Sequence, residues 1–160
     1  MAVPQPSLYE QARLAQIARF PGSISEDTTA AACFVSAEPL PSPAHDALRA
    51  SLEARGYAAR DLIYVTLRTH EDGHGAAAAT PAELYALLEA LDPLCIVLAD
   101  RESTEAASMG YNALLPFEAR AQLLGRACRC FEDFSALIAT EAGKRRAWAA
   151  LKGLPTFPGR

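Results

Sequence analysis

No apolar run in the 160-residue chain approaches the roughly 20 residues needed to cross a bilayer. The N-terminus "MAVPQPSLYEQARLAQ" has neither the basic start nor the continuous apolar stretch of a secretion signal. These absences lead to the expectation of a cytoplasmic protein with no membrane partner. Cysteine is scarce: Cys33, Cys95, Cys128 and Cys130 include no C-x-x-C pair. That spacing argues against a cysteine-ligated metal or cluster and for reduced thiols buried in strands. Cys128 and Cys130 are close, in a C-x-C spacing along a strand that alternates faces. Positive charge is also scarce in the first 100 residues, which carry 6 Lys and Arg against 13 Asp and Glu; the remaining 60 carry 9 against 6. Such an acidic first part argues against a broad nucleic-acid footprint.

About half of the residues are apolar and 21% are charged, the balance of an ordinary globular chain. The length fits one domain, so residues 1–160 are read as a single unit with a core over about 30–153. Apolar spacing predicts a first helix over 8–20, stopped before Pro21. Four short apolar runs, "AACFVSA", "DLIYVTL", "LCIVLAD" and "RACRCF", read as strands.

Helical sequence lies between and after them. Ser42 is expected to cap a helix that has Pro43 in its first turn and stops at Gly56. Thr80, Pro81 and Glu83 form a capping box for "TPAELYALLEAL". Asp100 or Ser103 caps a further helix through Met109, and residues 112–125 read as irregular or partly helical. Helical sequence from Asp133 to Lys152 closes the chain, with Leu137, Ile138, Trp148 and Leu151 on its buried side and Gly143 as a break.

Strands joined by helical crossovers make a parallel sheet covered on both faces. The expected fold is therefore α/β, a three-layer α/β/α sandwich around a central, mainly parallel sheet of about four strands. In such sheets ligands gather beyond the carboxyl ends of the strands, which directs attention to the segments after Ala37, Leu67, Ala99 and Cys130.

The order of these pieces resembles the uracil-DNA glycosylase superfamily over roughly residues 30–153. The resemblance rests on a strand ending in a Pro-containing loop, "LEARGYAARDLIYVTL", "TPAELYALLEALDPLCIVLADRESTEA" and a last strand followed by "KRRAWAALKGL". It implies three catalytic motifs, and the chain departs from each. Where the family has a Gly-rich loop carrying the water-activating acid, the chain has Ser36, Ala37, Glu38, Pro39 and Leu40, so Glu38 is the candidate catalytic carboxylate. Where the family reads the base edge with Asn, the chain has Leu67, which neither donates nor accepts. Where the family places a His after the last strand, "CFEDFS" offers Phe131, Glu132 and Asp133. Cysteines matching the family's iron–sulfur ligands are missing too, and no cofactor is expected.

Two other groups of residues can carry chemistry. His70 and His74, with Glu71 and Asp72 between them, are candidate zinc ligands, although the glycines of "THEDGHG" favour a loop over the helix that this spacing suits. Lys144, Arg145, Arg146 and Lys152 form a candidate surface for nucleic acid or a protein partner, with Trp148 expected as a core anchor. The functional expectation is a non-catalytic glycosylase-like adaptor with a protein partner and weak nucleic-acid contact at most. The alternative is a nucleic-acid or nucleotide-processing hydrolase rebuilt near Glu38. An open, polar strand-end cleft favours the hydrolase, and a cleft plugged by Leu40, Leu67 and Phe131 favours the adaptor.

Overall fold

The computed structural model describes residues 5–25, 31–69 and 77–158. His70 and His74 lie outside them. The helices are α1 (Leu8–Ala18), α2 (Ser42–Glu53), α3 (Pro81–Leu91), α4 (Arg101–Tyr111), α5 (Phe134–Leu137) and α6 (Glu141–Leu151). The strands are β1 (Ser23–Ile24), β2 (Ala32–Ser36), β3 (Leu62–Thr66), β4 (Cys95–Leu98), β5 (Ala121–Leu123) and β6 (Arg126–Cys130). No helix among the described residues is long and apolar enough to cross a membrane.

The six strands form one mixed sheet in the order β1-β3-β2-β4-β6-β5. Its middle is parallel: Ala32 stands between Leu62 and Cys95, and Cys95 opposite Ala127. These four strands are the apolar runs read from the sequence. The short edges β1 and β5 are antiparallel to β3 and β6 and enlarge the expected sheet.

Each parallel strand sends alternate residues to opposite faces, as a period of two requires. One face carries Cys33, Val35, Ile63, Val65, Ile96 and Leu98 against α1, α3 and α4, through Ile17, Leu84, Leu88 and Ala107. The other carries Ala32, Phe34, Leu62, Cys95 and Val97 against α2, α5 and α6, through Leu48, Leu52, Phe134 and Leu151. The result is the three-layer α/β/α sandwich. Cys128 and Cys130, two apart on β6, share a face with their sulfurs 3.7 Å apart, and all four cysteines are free and buried.

Several local expectations change. Residues 112–125 hold a strand and no helix. β5 turns into β6 through Leu124 and Gly125, both at positive φ, the backbone of a tight hairpin turn. The cap of α2 is Pro41, without a side-chain hydrogen bond, and Ser42 is the first helical residue. Between Asp133 and Lys152 the helix breaks after Leu137, and Thr140 restarts it by accepting a hydrogen bond from the Gly143 N–H at 3.0 Å. Gly143 is therefore not the break. It lies so close to α5 that an added Cβ would sit 1.7 Å from the Leu137 carbonyl oxygen. Trp148 is 41% exposed, and Leu137 and Ile138 are half-buried. The buried side of α6 is made by Gly143, Ala147, Ala150 and Leu151, which leaves no room for an indole.

Gly143→Ala should lower the unfolding free energy by about 1–3 kcal/mol, the usual range for overpacking. Urea titration of the variant beside Ala142→Ser, an exposed neighbour, would check it. Equal midpoints would mean that the close approach to Leu137 does not constrain the α5–α6 joint.

Candidate functional site

A cleft of about 300 Å³ opens beyond the carboxyl ends of β2, β4 and β6. β2 delivers Ala37, Glu38 and Leu40 to it, β4 delivers Asp100 and the first turn of α4, and β6 delivers Glu132 and Asp133. The parallel topology thus gathers three chain segments that are distant in sequence, as expected at strand ends. Glu38 and Leu40 do line the cleft. Leu67 does not: it is buried in the core, where its backbone receives the Ala79 N–H at 2.8 Å and gives its own N–H to Ser36 O at 2.9 Å. Phe131 is buried as well and packs edge-on to Phe134. The cleft is therefore open and polar rather than plugged.

The polar groups lining this cleft are engaged with one another. Asp100 accepts from the Ser103 N–H at 2.8 Å through Oδ1, capping α4, and from the Ala37 N–H at 2.7 Å through Oδ2. Asp133 accepts from the Ala136 N–H at 3.0 Å and so caps α5. Arg68, just past β3, donates from Nη1 and Nη2 to both oxygens of Glu102 and from Nη1 to Glu38 at 3.3 Å. The hydrogen bonds to Glu102 push the Arg68 guanidinium above its ordinary value. Glu132 receives the Arg101 guanidinium, and the Arg101 N–H donates to the Glu132 carbonyl at 2.9 Å. Even the Ser36 hydroxyl is committed, donating to the Glu38 carbonyl at 2.6 Å.

A general base needs a lone pair aimed at the water or proton it takes. Glu38 instead shares Arg68 with Glu102. His45 is elsewhere, stacked on Tyr64 with ring centroids 4.2 Å apart. Beside the cleft, and sharing Glu132 and Asp133 with it, a hollow of about 540 Å³ runs along Phe117, Leu137 and Arg146.

The basic residues of α6 do not act as one surface. Lys144 pairs with Glu141 at 2.8 Å, and Arg146 pairs with Glu118. Arg145 is exposed, while Lys152 and Trp148 border a separate groove with Arg55, Arg120 and Arg129. Sequence reasoning missed Arg68 and Arg129. Nothing in "TLRTH" or "RACRC" separates these arginines from solvated ones. Among the described residues no group of three or more His, Cys, Asp or Glu is arranged to hold a metal.

The chain matches no protein-family model and no curated protein.

Asp133→Ala should cost about 0.5–2 kcal/mol, the range for a lost helix cap. Glu38→Gln should stay within about 0.5 kcal/mol of the parent, because Glu38 is itself exposed and its half-buried partner Arg68 has a better-placed carboxylate in Glu102. Chemical denaturation of both variants would check this. A large loss in Glu38→Gln together with none in Asp133→Ala would reverse the roles given to them.

Proposed function

We propose that the protein is a non-catalytic, uracil-DNA glycosylase-like protein that works as a protein-interaction or adaptor module in DNA metabolism. The observation that carries this reading is that each of the five carboxylates lining the strand-end cleft already has a partner. Asp100 and Asp133 hold backbone amides, Glu38 and Glu102 hold Arg68, and Glu132 holds Arg101. Base excision needs a group that polarises the departing base and one that reads its edge. Acidic groups stand where the first is required, and Leu67, at the second position, is in the core. The resemblance offers a precedent in the psi subunit of the bacterial replicative clamp loader, whose related fold serves without base excision. Leu8, Tyr9, Met109 and Leu114 present large apolar groups to solvent, which supports a protein partner over a polyanion as the main one.

The open, polar cleft favours a second reading, a hydrolase acting on nucleic acid or nucleotides with its site rebuilt around Glu38. The two readings separate in one assay. Purified protein incubated with uracil-containing single- and double-stranded DNA should release no more uracil than a control without protein. Release that disappears in Glu38→Gln would overturn the adaptor reading.

A further inference from the structure

The groove beside α6 is electrostatically the inverse of the cleft. Its volume is about 500 Å³, and it shares no lining residue with the strand-end cleft. Four cationic side chains border it: Arg55 after α2, Arg120 before β5, Arg129 on β6 and Lys152 after α6. One carboxylate, Glu118, borders it too: Oε2 pairs with Arg146, while Oε1 is buried without a donor among the described residues.

Arg129 is the deepest of these cations, at 4% exposure. Its Nε donates to the Ala150 carbonyl at 2.8 Å and its Nη1 to the Cys128 carbonyl at 2.7 Å. The first bond fills a carbonyl in the last turn of α6, the second one on β6, and together they fix the guanidinium plane. Nη2 has no acceptor among the described residues. Gly153 leaves the space around it clear, since an added Cβ there would come 2.6 Å from Nη2. Arg55 goes further: Nη2 donates to the Leu154 carbonyl at 2.8 Å, while Nε is buried without an acceptor among the described residues. A buried donor left unmade, as Arg55 Nε is, is costly and points to an acceptor that arrives from outside. Burial first, and then the neighbouring charge of Arg120, hold the Arg129 guanidinium below its ordinary value. An anion in the groove relieves that condition.

The last wall is Trp148, 41% exposed and the chain's single tryptophan. An isolated carboxylate would leave most of this positive charge uncompensated and would not use the indole. A phosphate ester carries about −1.5 to −2 charge with several acceptor oxygens, and a base attached to it can lie on an indole face. We propose that the groove binds a nucleotide unit, its phosphate held by Arg129, Arg120 and Lys152 and its base stacked on Trp148. The unit is either a free nucleotide or the phosphorylated end of a single strand, which present the same chemistry. This site stands apart from the adaptor reading, because none of its residues takes part in the cleft.

The single tryptophan makes the test direct. Its fluorescence would be followed at low ionic strength, where charge contacts are least screened. The probes are a 5′-nucleoside monophosphate, the unphosphorylated nucleoside, inorganic phosphate, an oligonucleotide with and without a 5′-phosphate, and an oligoglutamate peptide. Saturable quenching by the monophosphate is expected, with inorganic phosphate competing without quenching and the nucleoside inactive. Whichever of the monophosphate and the phosphorylated strand binds more tightly identifies the source. Arg120→Glu with Lys152→Glu, both exposed, should weaken binding about tenfold or more, the scale expected when two phosphate contacts are reversed. Circular dichroism would confirm that this variant is folded. Failure of both phosphorylated probes to quench saturably, unchanged affinity in the double variant, or oligoglutamate binding as tightly as the nucleotide would each overturn the proposal.

Discussion

The Asp100 carboxylate joins parts of the fold that would otherwise meet only through packing. One oxygen caps α4, and the other takes the N–H of Ala37, 63 residues earlier, at the end of β2. Adjacent parallel strands thereby end in a common clasp. The pattern continues to β6, where Asp100 bridges to Asp133 and the Phe134 N–H reaches the Ala99 carbonyl at 2.9 Å. Backbone groups just past a strand have lost their ladder partners, and burial makes that loss expensive. Carboxylates at these positions repair it. The same positions are where α/β proteins keep their chemistry, so the repair draws on side chains that a catalytic site would use.

The two concave surfaces differ in what their charges do. In the strand-end cleft Arg68 is shared by Glu38 and Glu102, Arg101 pairs with Glu132, and helix caps occupy Asp100 and Asp133, so every carboxylate has a bond although negative charge stays in excess. In the groove along α6 the arginines have filled helix-end carbonyls and retain unused donors. A cluster whose polar groups bond to one another and to nearby backbone organises the fold, whereas one with unused donors is suited to a ligand.

Of the four parallel strands, β2 and β4 were the most legible because they are apolar runs buried on both faces, while β3 and the arginine-bearing β6 are buried only in part. The edges were not legible. β1 spans two residues, and β5 is "AQL", too short to show a period. Their hairpin signal was hidden as well: Leu124 stands at positive φ where Asn or Asp would have announced the turn. Trp148 misled for a related reason. Its bulk suggested a core anchor, but the buried side of α6 is Gly143, pressed on α5, with Ala147, Ala150 and Leu151, and Trp148 lies off that side. Glu38 could be named from its strand end, whereas its partner Arg68 lies 30 residues away and Glu102 lies 34 beyond that. Topology brings these side chains together, and local pattern carries no trace of it.

If the carboxylates of the strand-end cleft are structural, Asp100, which holds two backbone amides at once, is the one whose change costs the fold most. Asp100→Asn keeps the size of the side chain but turns one acceptor into a donor, which must then face either the Ala37 N–H or the Ser103 N–H. Urea unfolding of the variant should show a loss of about 1.5–3 kcal/mol, the value of a hydrogen bond to a charged group. A variant as stable as the parent would show that the Asp100 carboxylate does not hold β2 to α4.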